Sequence, residues 1–229
     1  VSQDISLRFY HSQFIGKPGS IEEIAALFIQ KNFRIFDINV RDGNGVDFYW
    51  DSYDPHAQMI LAAAYRCHGI NFQCFNAEEQ LALTAYIGWV EIDETRPGDT
   101  FLAITTFQTA LFTRQENNPA YFSRLFLEIG RCLFAVVTPD FGWIDMEGFA
   151  GLTEDEDISS LAIPYTYWAN FLGERYVKKY GKEKLLSAPV WHSGILKPEG
   201  VLLVLSPILG VHPGDTELLK NYLLEVTIR

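Results

Sequence analysis

Any chemistry in this chain would have to come from its histidines, a few clustered acids and one neighbouring His-Ser pair. The five histidines are His11, His56, His68, His192 and His212. No two stand four residues apart and there is no H-E-x-x-H, so no helix presents a zinc pair. Trp191-His192-Ser193-Gly194 supplies the residue types of a base and a nucleophile. Neighbours in a strand point to opposite faces, however, so neither side chain serves the other, and no G-x-S-x-G elbow occurs. Asp37, Asp47 and Asp51 fall on neighbouring expected strands, where converging carboxylates would hold a divalent cation or do general acid–base work. The competing reading makes them the solvent side of a hairpin buried on one face. Glu154-Asp155-Glu156-Asp157 has oxygen ligands for calcium but lacks the alternating spacing and the glycine of an EF-hand. Four adjacent like charges read instead as an exposed loop. Asp42-Gly43-Asn44-Gly45 joins strands and opens no helix, so it reads as a turn and not as a phosphate cradle. Cys67, Cys74 and Cys132 form no C-x-x-C pair, and an odd count makes a poor disulfide framework. Cys74 and Cys132 read as small buried thiols. No residue is therefore assigned a catalytic, cofactor-binding or metal-binding role.

The elements that would position these residues follow from periodicity. Residues 6–11 read as a strand, and Gly16-Lys17-Pro18-Gly19 breaks it. Ser20-Ile21-Glu22-Glu23 has the form of a capping box, with Ser20 at the N-cap and Glu23 at N3. The helix it opens carries Ile21, Ile24, Ala25, Leu27 and Phe28 at a period near 3.6 and ends near Asn32. Alternation over 36–40 and 46–50 around the Asp-Gly-Asn-Gly turn predicts a hairpin. Cys67-His68-Gly69 reads as a tight turn between residues 58–66 and 70–75, and in the latter Cys74 alternates with Phe72. A short helical turn is expected after Asn76, then a strand over 84–92, rich in β-branched and aromatic residues, and another over 101–107. The clearest helix begins at Pro119, with Phe122, Leu125, Phe126, Ile129, Leu133 and Val136 on one stripe, and stops at Thr138-Pro139. Phe141 to Asp145 reads as a strand. Pro164 is expected to open a helix with Tyr165, Trp168, Phe171, Leu172 and Tyr176 inward, closing at Gly181. Residues 195–205 read as a strand, a Lys-Pro-Glu-Gly turn and a strand covered on both faces. Residues 222–229 alternate as a last strand.

These elements point to a single α+β domain over 1–229, with a mainly antiparallel sheet, helices on one face and a β-α-β-β subregion in 1–92. The 229 residues are 48% hydrophobic and 14% aromatic, which builds a large core and excludes a disordered chain. No apolar run reaches the length of an ordinary transmembrane helix. The formal charge of −11 argues against a basic footprint for nucleic acid. Residues 77–157 carry 15 acids and 4 bases and so account for the whole imbalance. Such a surface either meets a basic partner by electrostatic steering or simply keeps the protein in solution. The cysteine usage fits a reducing cytoplasm, and the N-terminus has no basic region followed by an apolar stretch to mark a signal peptide.

From Phe141-Gly142-Trp143-Ile144-Asp145 onward the chain resembles a known group. Ile163-Pro164-Tyr165-Thr166-Tyr167-Trp168-Ala169-Asn170-Phe171-Leu172-Gly173 follows, then a basic helix ending Tyr180-Gly181, then Trp191 and a glycine-turned strand into 201–207. Over roughly residues 100–210 this resembles bacterial immunity proteins of polymorphic toxin and type VI secretion systems, of the immunity protein 52 or TriTu type. The resemblance implies a non-catalytic protein that binds and neutralises a cognate toxin in the cytoplasm, without cofactor, nucleic acid or membrane. Glu154, Asp155, Glu156 and Asp157 are then the expected partner-binding residues. Two rival readings remain open. One is a hydrolase or metal-dependent enzyme assembled from distant residues such as Asp37, Asp47 and His192. The other is a small-ligand module built on Tyr49, Trp50 and Trp89.

Overall fold

A computed structural model describes residues 4–40, 55–79, 81–89, 100–106, 119–146, 158, 160–163, 166–211 and 216–224. The elements run β1 (Ile5–Tyr10), α1 (Ser20–Gln30), β2 (Phe33–Val40), α2 (Pro55–Cys67), β3 (Gly69–Asn76), β4 (Leu81–Trp89), β5 (Thr100–Thr106), α3 (Pro119–Val137), β6 (Phe141–Met146), β7 (Ala169–Leu172), α4 (Glu174–Tyr180), α5 (Lys182–Leu186), β8 (His192–Leu196), β9 (Gly200–Val204) and α6 (Thr216–Leu224). All the described strands join one sheet, in the order β2-β3-β4-β5-β1-β6-β7-β9-β8. Every pair is antiparallel. The α+β class and the antiparallel sheet are as expected.

One face of the sheet carries a continuous core. Leu7 and Phe9 of β1, Phe72 and Cys74 of β3, Leu83 and Ala85 of β4 and Ile104 of β5 meet Ile24 and Phe28 of α1, Ala64 of α2 and Phe126 and Leu133 of α3. Burial pushes the Cys74 thiol up to about 12, so this sulfur is an inert core atom. The expected single helical layer describes this face. A second cluster lies on the other face at β6, β7 and β9, where Phe141, Trp143, Leu172, Val201 and Leu203 pack under Tyr176 and Tyr180 of α4, Leu185 of α5 and Leu219 of α6. Those strands are apolar at both parities, so both faces need cover.

Local departures from the sequence reading have physical causes. Ser20 is the first residue of α1 and makes no cap; Gly19 precedes it at φ 88°. The Tyr65 hydroxyl from α2 takes over that role. It accepts from Ile21 N at 3.3 Å and donates to Glu22 at 2.8 Å. In β2 the buried set switches from Phe33 and Ile35 to Ile38 and Val40, because a bulge interrupts the register between Phe36 and Asn39. Asp37 sits there at φ 49°. The short helical turn after Asn76 is a hairpin turn instead. Asn76 Oδ1 accepts Glu78 N at 2.9 Å and Glu79 N at 3.0 Å, as an Asx turn does.

The helix expected from Pro164 to Gly181 is corrected to β7 followed by α4. Two-face burial, with Ala169 and Phe171 on one side and Leu172 on the other, mimics helical spacing over so short a run. Local geometry also forces the switch. Gly173 N donates to Asp140 O at 2.8 Å, and a side chain at Gly173 would run into the Pro139 and Asp140 carbonyls. At the C-terminal end, Tyr222 to Leu224 belong to helix α6 and not to a strand. The turn 42–45, the second hairpin strand 46–50 and residues 225–229 lie outside the described residues.

Candidate functional site

The structure separates the residues that a distributed active site would need. Asp37 lies on β2 and His192 on β8, the two outer strands of the sheet. Eight strand spacings of about 4.8 Å put them on the order of 40 Å apart. Asp37 is engaged locally, accepting from Gln73 Nε2 at 2.9 Å and Asn39 Nδ2 at 3.2 Å. His192 and Ser193 point to opposite sides as expected. Ser193 Oγ donates to Leu186 O at 2.7 Å, while His192 Nε2 lies 3.1 Å from Arg131 Nη2. Asp47 and Asp51, Tyr49 and Trp50, and Glu154 to Asp157 lie outside the described residues. Trp89 belongs to the core, near Tyr65 and His68 with ring centroids 5.8 and 6.2 Å away. Among the described residues no group of three or more His, Cys, Asp or Glu is placed to hold a metal ion.

The basic residues of 175–182 are largely taken up within the molecule. Arg175 pairs with Asp140 at 2.7 Å and Lys178 with Glu174 one turn away. Lys179 donates to the carbonyls of Ser160 and Leu161 at 3.1 and 2.9 Å. Lys179 meets neutral carbonyls and Lys182 is exposed with no ion pair among the described residues, so part of this charge faces solvent.

Two surfaces remain that sequence reasoning did not single out. The first is a cleft of about 480 Å³ between the end of α1, the β3–β4 turn and α3. Lys31 pairs with Glu128 across it, and that hydrogen bond holds the Lys31 ammonium above its ordinary range. Tyr121 donates to Glu79 at 2.6 Å, Asn32 donates to Glu78 at 3.3 Å, and Asn76 Nδ2 donates to Lys31 O at 2.9 Å. The cleft is polar at its rim with Phe33, Leu125 and Ile129 below.

The second is the open face of β3, β4 and β5, opposite the helices. Tyr86 is 42% exposed and Phe101 40%. They project from neighbouring strands, because Tyr86 pairs with Ala103 and Gly88 with Phe101. The Phe101 ring lies over Gly88, where a Cβ would come within 2.6 Å of it. Exposed aromatics are the residue types that anchor protein interfaces. The signal in the sequence was an aromatic at the polar parity of an alternating strand.

No family model matches the chain, and no curated protein matches it in sequence. Among solved structures, the Pseudomonas aeruginosa T6SS protein PA0821 has a similar fold. The TM-score is 0.55 at 13% identity, covering 98% of this chain and 73% of that one.

Proposed function

We propose that this protein is a non-catalytic, immunity-type protein that binds and neutralises a toxin of a type VI or related polymorphic toxin system in the bacterial cytoplasm. The observation that carries the reading is the fold likeness to a T6SS protein along nearly the whole chain. It is supported by the sequence resemblance over 100–210, by the exposed Tyr86 and Phe101, and by the acidic charge of residues 77–157. An enzyme built on Asp37 and His192 is disfavoured by their places on opposite edges of the sheet. Glu154, Asp155, Glu156 and Asp157 supply steering charge toward a basic toxin surface in this reading.

Coexpression with the toxin encoded beside this gene tests it. The expected result is survival of cells that the toxin alone kills, with a complex on gel filtration. Death despite coexpression, with no complex, overturns it. Neutralising the four acids together should slow association more than it speeds dissociation, and the effect should fade as salt shortens the screening length to about 10 Å at 0.1 M. An association rate unchanged by that substitution removes the four residues from the interface.

A further inference from the structure

Among the described strands, the two outer ones of the sheet are finished differently. β2 carries the bulge at Asp37, a common device for closing an edge against further pairing. β8 is regular through all five residues, pairs only with β9 among the described strands, and carries no bulge. Trp191 is 55% exposed and Ile195 60%. Ile195 shares the parity of Ser193 and stands on its side of the edge, while Trp191 precedes the strand and lies beside His192, ring centroids 5.9 Å apart. On the other side Gly194 leaves room for Arg131, which reaches across from α3. A Cβ at Gly194 would lie 3.2 Å from His192 Nε2 and 3.5 Å from Arg131 Nη2. Arginine only donates hydrogen bonds, so His192 accepts at Nε2 and leaves the guanidinium charge uncompensated. Among the described residues no carboxylate pairs with Arg131.

We propose that β8 is a docking edge that takes up an extended segment of a partner protein as a further antiparallel or parallel strand, with apolar side chains set against Ile195 and carboxylates set against Arg131. Strand addition supplies main-chain hydrogen bonds, and alternate side chains supply selectivity. Arginine is among the residue types that most often anchor such contacts, and Trp191 lies beside the His192–Arg131 pair. Charge decides the occupant. An antiparallel pair of β8 strands centred on Gly194 would bring each Arg131 toward its mate, like charge on like, whereas an alternately acidic and apolar segment satisfies both sides.

The inference rests on the protein-binding reading above but not on the identity of the toxin. The probe is a synthetic fluorescein-labelled peptide alternating glutamate and valine, with a lysine–valine peptide as control. The glutamate peptide should bind saturably and the lysine peptide about tenfold more weakly or worse. Amide exchange should slow at His192–Leu196 in the glutamate complex. Arg131→Ala should weaken binding about tenfold, and Ile195→Lys should abolish it with the thermal midpoint unchanged. Equal binding of both peptides, or unaltered exchange in β8, overturns the proposal. So does a dimer that Ile195→Lys dissolves, because β8 then serves a second copy. Failed toxin rescue alongside intact peptide binding removes the toxin and supports the edge. Rescue by Ile195→Lys equal to that of the parent overturns the edge as the docking site.

Discussion

Strands β2 to β5 and strands β6, β7 and β9 belong to one sheet but live in different surroundings. The first group is buried on one face. Its residues alternate, with Phe72, Cys74, Leu83 and Ala85 inside and Gln73, Ala82 and Tyr86 exposed. The second group is buried on both faces, so Val201 to Val204 are all inside and Phe171 and Leu172 serve different clusters. Most polar groups there find protein partners, the buried Trp143 Nε1 being an exception among the described residues. Asp145 is fully buried and accepts Trp168 N at 3.0 Å, Trp168 Nε1 donates to Ser206 O at 3.0 Å, and Asn170 bonds both backbone groups of Tyr167. Trp143 stacks on Tyr167 at 4.6 Å with Arg8 on its ring at 5.4 Å. The two-sided half therefore depends on internal partners, and the one-sided half offers exposed surface.

This contrast is breakable. The largest effect is expected at Trp168→Ala, which removes a fully buried ring and two indole hydrogen bonds to Ser206. It should cost about 3–5 kcal/mol in urea unfolding. Tyr86→Ala on the open face should stay within about 0.5 kcal/mol. A comparable loss at both positions would erase the difference between the halves.

Gly142→Ala should cost about 1–3 kcal/mol, since a methyl group would meet the Phe9 ring and the Arg8 carbonyl in the middle of the sheet. A neutral result would show that β1 and β6 can separate without loss. Smaller still, Tyr65→Phe should cost about 1 kcal/mol by removing the tertiary cap on α1. Unchanged stability would return the capping role to Ser20.

A different kind of effect is a slope in alkali. Cys74 keeps its proton in the fold up to about 12, against an ordinary value of 9.0. Between those values the unfolded chain has lost the proton and the folded chain has not. The folded state then binds more protons, so the Cys74 contribution to stability should fall as pH rises above about 9. Cys74→Ala should flatten that slope in denaturation measured across the range. In thiol labelling of the folded protein, Cys67 and Cys132, both half-buried, should react well before Cys74.

Alternation by itself makes β1, β3 and β5 legible in the sequence, and the broad stripe from Phe122 to Val136 does the same for α3. An element buried on one face writes its own period into the sequence, because only one set of positions must be apolar. The antiparallel α+β class follows from those elements and the Lys-Pro-Glu-Gly turn. Tertiary contacts decided the rest. The run around Ala169–Leu172 is buried at every position, so it carries no period, and the neighbouring strands made it β7. Tyr65 reached α1 from 43 and 44 residues away to replace a local cap. The bulge at Asp37, which reversed the buried parity of β2, has no signature in composition. The candidate surfaces were hidden for the same reason. Tyr86 beside Phe101, Lys31 across from Glu128 and Arg131 under Gly194 are each brought together from separate elements, and only the closed sheet makes them neighbours.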